Sequence, residues 1–404
     1  MFVRASVVLF LGMLGVGDIA AQAGQDSTLH GLRRRTPSGE YTDPASFFRF
    51  HGYVTLSYTE SGEDLGTDPG ATPQILVPGP GRRGEAQGGF RSDAALFVGG
   101  EPFENVAGLV EIHFVGNALD PVITEAKVTW DVVPVEAGRR SAFRLIAGRF
   151  WTPFGIHNNE WFSALNRFSL VSPAAAEAVP AHVNEVGIMA EGETRVGTGS
   201  GINWVASLGN GVPGFDLMPN VMGTAQDADA NRTVTGRVGF VTGSRVQLSI
   251  GASGMTGTLR DGEDPSRAAD DVLRYGADVQ ALGADLSLQS RRVNLRSYLY
   301  WSREDLDGAP VPELDRLGLT VEPSLTVWSS ATSGRAVELV GRASTAREET
   351  LSGLTHRRTQ WALGVLARVR RMTWVRVGYV GQSEGRDLSS RSNDAFSLGV
   401  TTSF

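Results

Sequence analysis

The sequence predicts an all-β fold: a transmembrane antiparallel β-barrel of about 16 strands, with short turns at one end and long loops at the other. Three observations carry this. Apolar residues recur with period two, the connections between those segments alternate between tight and long, and the chain opens on an export signal yet holds no cysteine.

The opening segment is read first because it does not belong to the mature fold. Met1 to Arg4 is short and basic, Ala5 to Val16 is apolar, and Ala21-Gln22-Ala23 supplies a small-x-small cleavage site. Residues 1–23 are therefore expected to be a signal peptide. The apolar run is too short for a membrane anchor, which needs about twenty residues. A short polar segment, 24–46, follows, and the barrel is expected over 47–404.

Period two is clearest at the C-terminal end. Phe396, Leu398, Val400, Thr402 and Phe404 share one face, and Ala395, Ser397, Gly399, Thr401 and Ser403 share the other. One face suits lipid and the other suits water. The same alternation sets Phe50, Val54 and Leu56 against His51, Tyr53 and Thr55, and Val293, Leu295, Leu299 and Trp301 against Asn294, Arg296 and Tyr298. In chain order the predicted strands are 47–60, 89–99, 107–116, 122–133, 143–154, 185–196, 201–209, 232–242, 246–258, 274–288, 293–303, 317–328, 336–347, 357–370, 372–383 and 394–404. Connections at 197–200, 243–245, 289–292 and 371 are tight, whereas 61–88, 155–184, 210–231 and 259–273 are long and polar. Short periplasmic turns facing long extracellular loops are the expected asymmetry of an outer-membrane barrel, and an even strand count returns both ends to the periplasm. A strand as apolar as the last would be an aggregation template if unpaired, so it is expected to close the barrel on the first. Trp130, Trp204, Trp301, Trp328, Trp361 and Trp374 fall in or at the ends of predicted strands, where an indole suits headgroup level.

Charge and composition narrow the function. A net charge of −7 argues against a general nucleic-acid binder. Lys127 is the only lysine, so nearly all positive charge is arginine and stays positive at any working pH. Alternation puts Arg49, Arg296, Arg342, Arg368, Arg370 and Arg376 on polar faces, together with Lys127, Glu111, Glu125, Asp131, Asp278 and Glu338. Rings of one sign select ions, whereas mixed signs set up a transverse field and brace the wall; the mixture here favours bracing. Six histidines are scattered without metal-ligand spacing, and no nucleophile, base and acid appear with recognisable flanks. The expectation is therefore a protein that is not an enzyme, with no catalytic residue, no metal site and no cofactor.

The most specific local segment is Ala147-Gly148-Arg149-Phe150-Trp151-Thr152-Pro153-Phe154-Gly155. It resembles the strand-end signature of the phosphate-selective porin O and P family, and the strands containing Thr124 to Trp130 and Asn184 to Met189 resemble their counterparts, so that the likeness covers about 122–190. Pro153 ends ladder pairing and Gly155 permits a sharp turn, which agrees with it. The resemblance implies a 16-stranded, homo-trimeric channel whose third extracellular loop, here 156–184, folds inward and narrows the lumen. On that loop His157, Asn159, Glu160 and Arg167 are the constriction candidates, near the inward candidates Lys127 and Arg149, and the alternation above adds Arg296, Arg342, Arg368 and Arg376 as lumen candidates. Phe396, Leu398, Val400 and Phe404 resemble the C-terminal signal read by the barrel-assembly machinery.

The function expected from sequence is passive diffusion of small hydrophilic solutes or ions through a porin-like channel in a bacterial outer membrane. The partners expected are outer-membrane lipid, the assembly machinery, the solutes themselves and two further copies of the chain. The alternative is a structural or complex-forming barrel with a plugged lumen.

Overall fold

A computed structural model of the chain describes residues 48–61, 89–115, 121–134, 140–156, 173–175, 184–197, 199–211, 232–258, 278–305, 313–349, 355–370, 372–384 and 394–403. The predicted signal peptide at 1–23 and the segment 24–46 lie outside them. So do His157, Asn159, Glu160, Arg167 and Phe404.

Sixteen antiparallel strands form one closed barrel. They are β1 (Phe48–Ser61), β2 (Gly89–Phe103), β3 (Val106–Val115), β4 (Pro121–Val133), β5 (Ser141–Trp151), β6 (Asn184–Gly197), β7 (Ser200–Gly209) and β8 (Thr233–Thr242). The circuit continues with β9 (Gln247–Thr258), β10 (Asp278–Gln289), β11 (Val293–Asp305), β12 (Glu313–Ser329), β13 (Ala336–Glu349), β14 (Thr355–Arg370), β15 (Thr373–Glu384) and β16 (Ala395–Ser403). Every strand pairs with its sequence neighbours, and β1 pairs with β16 from Tyr53↔Ser403 to Ser61↔Ala395. Closure leaves no edge, as a chain in hydrocarbon requires. At the seam Thr55 and Thr401 share a hydrogen bond of 2.7 Å, and Arg376 Nη1 donates to Thr401 Oγ1 at 2.5 Å.

The burial pattern separates the faces. In β16, Phe396 and Leu398 are exposed while Ala395, Ser397, Gly399 and Thr401 are buried. The same inversion runs round the barrel: Val54, Leu56, Val128, Ile188, Val238, Leu282, Leu319, Leu363 and Val377 are exposed, while Thr55, Glu111, Glu125, Thr235, Asp285, Glu304, Thr320 and Arg342 are buried. A soluble fold would hide the first set. A barrel in lipid presents them outward and turns its polar residues into the lumen.

Aromatic side chains mark both rims of the apolar belt. At the turn end stand Phe50, Phe103, Trp130, Trp204, Phe240 and Trp328, all exposed, with Phe143 stacked on Trp204 at 5.9 Å between ring centres. At the loop end Trp361 packs on Tyr379 at 5.3 Å, with Phe396 nearby across the register Tyr379↔Phe396. An aromatic girdle round one rim of an apolar band, with an aromatic cluster at the other rim on β14–β16, is what a barrel seated in a bilayer presents. Trp374 departs from the sequence reading. It shares the inward face of Arg376, and the Arg368 guanidinium lies 5.3 Å from its ring centre.

Candidate functional site

Lumenal groups gather on two opposed walls. On β3–β6 the inward positions carry Glu111, Glu125, Asp131, Glu185 and Glu191 with Lys127 and Arg144. Half a circuit away in strand order, β11–β15 carry Arg296, Arg316, Arg342, Arg358, Arg368 and Arg376 with Glu304, Glu322 and Glu338. Acid dominates the first wall and arginine the second, which sets a field across the lumen. Many of these charges are braced locally. Lys127 holds Glu125 at 2.7 Å, and Arg144 bridges Asp131 at 3.4 Å and Glu191 at 2.8 Å. Arg237 grips Asp285 through two nitrogens at 2.7 and 3.1 Å. Arg342 meets Glu322 at 2.8 Å, and Arg316 pairs with Glu304 where both are almost completely buried.

The segment after β5 leaves the wall and crosses the lumen. Trp151 packs on Tyr53 and Ala95, from β1 and β2, with Phe97 at the edge. Thr152 donates to Glu185 at 2.8 Å. Phe154 then reaches the far side, where its ring centre lies 5.4 Å from that of Tyr300 in β11, itself stacked on Tyr298 at 4.8 Å. The Gly155 amide donates to Ser253 Oγ of β9 at 3.0 Å. Further along the same connection, the Ala175 amide donates to Ser344 Oγ of β13 at 2.9 Å. Gly318 of β12 makes room there, since a Cβ on it would fall 2.6 Å from Ala175 Cα. The two ends of the connection described here are thus fixed to the inner faces of β9, β11, β12 and β13.

Gly155 is the tightest point of this arrangement. Its φ of +65° is a left-handed value, and a Cβ there would stand 2.1 Å from the Tyr300 hydroxyl oxygen. Gly155→Ala is expected to cost about 1–3 kcal/mol of local strain and to free the segment from Ser253. Limited proteolysis of the folded barrel reads this: the variant should be cut within 156–183 faster than the parent, and equal cleavage would show that the anchor does not hold the connection.

Of the wall residues expected at the constriction, the inward rows contain Lys127, Arg296, Arg342, Arg368 and Arg376. Glu322 lies beside both Arg296, its register partner, and Arg342. Arg149 is a correction. It shares its row with Ala126 and Val186 on the outward face, between exposed Leu145 and Ala147 on its own strand and the lipid side of β4 and β6. Its Nη1 donates to the Ile123 carbonyl at 2.9 Å. The physical reason is its place at the loop end of β5, where a long side chain lays its stem on apolar surface and takes its charge to the interface. Two further charges expected in the lumen are also elsewhere. Asp278 is exposed at the start of β10 and accepts from Thr258, and Arg370 is exposed beyond a register shift in β14.

Sequence reasoning missed Arg316, Arg358 and Asp285, although Arg358 has the inward parity of Arg368 and could have been found by it. It also missed the Tyr53 to His113 hydrogen bond of 2.9 Å, which spans β2 over the small Ala95.

No protein-family model matches the chain. No curated protein sequence matches it either. Solved structures do. The chain is similar to a loop L8 deletion mutant of OmpT, an outer membrane protein of Vibrio cholerae, with a TM-score of 0.55 at 10% identity over 88% of this chain and 99% of that one. It is similar to in-vitro folded OmpT of Vibrio cholerae in its trimer form, with a TM-score of 0.54 at 10% identity over 88% and 99%. The anion-selective porin from Comamonas acidovorans gives 0.55 at 12% identity over 88% and 99%. Identities this low speak for the fold alone.

Fold, apolar belt and aromatic rims together define the class: the chain is a porin-like β-barrel of the bacterial outer membrane. The likenesses bear out a porin-like barrel without singling out the phosphate-selective O and P family. They also correct the expectation that the chain is not an enzyme. The exclusion does not stand: the fold shared with OmpT of Vibrio cholerae is an architecture that hosts unrelated functions, and scattered histidines do not decide between them.

Proposed function

We propose that this barrel is a channel for passive diffusion of small hydrophilic solutes or ions across the outer membrane, narrowed by its third extracellular loop, 156–184. The observation that carries the reading is the crossing segment: Phe154 on Tyr300, Gly155 on Ser253 and Ala175 on Ser344 tie both described parts of that connection to the lumenal wall. A connection of this length left outside would be ordered at an entropic cost without packing in return. The likeness of 122–190 to the phosphate-selective porin O and P family supports the same pore architecture. In this reading Lys127, Arg296, Arg342, Arg368 and Arg376 line the passage with His157, Asn159, Glu160 and Arg167. The chain acts as a homo-trimer after removal of residues 1–23, an assembly supported by the trimer form of OmpT. Phe396, Leu398 and Val400, on or beside the lipid-facing row of β16, together with Phe404 serve as the assembly signal.

A plugged lumen is the second reading, and one observation favours it. Inward polar residues such as Ser302, Glu304 and Thr320 have no exposure at all. Single-channel recording across a planar bilayer separates the two. The channel reading expects discrete conductance steps and a reversal potential in a salt gradient that reports ion preference. Silence from folded protein would establish the plug. Because ion pairs such as Arg342 with Glu322 and Lys127 with Glu125 neutralise much of the wall, the preference expected is weak.

A further inference from the structure

The turn end of the barrel carries a second, separate feature. Between β8 and β9 the turn reads Thr242-Gly243-Ser244-Arg245, between β10 and β11 it reads Ser290-Arg291-Arg292, and between β12 and β13 it runs from Ser330 to Arg335. None of these turns contains a carboxylate. Arg245, Arg291 and Arg292 are exposed, and Arg335 is half-buried. Of the described turn-end acids, Glu101 and Glu104 belong to β2 and the β2–β3 turn, across the circuit from this arc, while Glu193 of β6, two strands from β8, and Glu338 of β13 continue inward rows. The loop end of the same arc has the other sign in its sequence, with Asp261, Glu263, Asp264, Asp270 and Asp271 between β9 and β10 against Arg260, Arg267 and Arg274.

Depth says what the arc meets. Phe240 and Trp328 of the turn-end girdle immediately precede the first and third of these turns, so their arginines stand a few residues beyond the level of the indole and benzyl rings. Aromatic girdles sit at headgroup level, which puts the guanidinium groups at the height of the phosphates. Val246 and Met372, 48% and 40% exposed, lie at the same end and are out of place on a wholly aqueous rim. A guanidinium offers two parallel donors to a phosphate and is only weakly hydrated, which suits it to this boundary. We propose that Arg245, Arg291, Arg292 and Arg335 form a collar that binds the phosphate groups of anionic phospholipids in the inner leaflet of the outer membrane. The collar orients the barrel, with its arginine end held at the periplasmic surface, and it does not depend on the lumen being open.

The test uses the full chain purified and reconstituted in nanodiscs of phosphatidylcholine with a minor fraction of phosphatidylglycerol. Lipids retained on the released protein are identified by native mass spectrometry. Phosphatidylglycerol should be enriched over its bulk fraction. The variant R245Q/R291Q/R292Q/R335Q, shown folded by its heat-modifiable gel shift, should lose about threefold or more of that enrichment, since each basic residue at an anionic surface contributes several-fold. Arg357→Gln, an exposed arginine at the loop end of β14, should leave it unchanged. No enrichment in the parent, retention of enrichment in the quadruple variant, or an equal loss in Arg357→Gln would each overturn the collar. Conductance in an uncharged bilayer keeps this apart from the channel reading. The quadruple variant should conduct as the parent does, and a changed ion preference with unchanged lipid retention would assign these arginines to permeation instead.

Discussion

Val377→Arg is expected to destabilise the folded barrel by about 2–4 kcal/mol, the cost of a charge near the midplane of the lipid face. Val377 stands mid-strand in β15, in an outward row with Val365 and Leu398, and is exposed although apolar. Gln382→Arg on the same strand is the matched control. Gln382 is inward and buried, opposite Gln360, and the substitution exchanges one long polar side chain for another in the lumen. It should cost less than Val377→Arg, because a charge turned into the lumen has polar neighbours where one turned outward has hydrocarbon. Folding titrations into lipid vesicles measure both. Equal destabilisation at the two positions would mean that the faces do not differ in solvent, and the assignment of lipid to the outside and polar lumen to the inside would fail.

How much of this was legible beforehand depended on the range over which each feature is encoded. Alternation is local, so every one of the sixteen strands was readable from the chain, and the contrast between turns and loops fixed the order of pairing. Boundaries were less legible where a strand runs beyond the apolar belt. The stretch Glu313 to Arg316 looks like loop because it is charged, yet it belongs to β12, and Arg316 lies opposite Glu304's neighbourhood as half of a buried ion pair. Parity failed after irregular backbone. Arg370 follows a register shift, so counting by twos from the centre of β14 gave the wrong face for it; Arg149 keeps the outward parity of Leu145 and Ala147, and was nominated by the resemblance of its segment and not by alternation.

The lumen was readable in kind but not in detail. Mixed charge of both signs was visible from alternation, and the structure turns it into specific pairs such as Arg342 with Glu322 and Arg237 with Asp285. Neither pairing follows from sequence spacing, because each depends on which strands are neighbours and on their register. The least legible element is the crossing segment. Pro153 and Gly155 announce a sharp exit from β5, but nothing local says that Phe154 ends against Tyr300 on the far wall. That contact joins distant parts of the chain and exists only once the barrel has closed.

The measurement that bears most directly on the whole account is the conductance of a barrel without its crossing segment. Trp151 and Asn184 are register partners, so residues 152–183 can be replaced by a two-residue Asn-Gly turn that closes β5 and β6 as a plain hairpin. With the loop gone, the lumen should widen to the wall, and single-channel conductance should rise several-fold while ion preference weakens, since aperture and lining charge decide passage. The folded state of the variant is established first by its heat-modifiable gel shift. Unchanged conductance in that folded variant would place the constriction elsewhere and contradict a pore narrowed by residues 156–184.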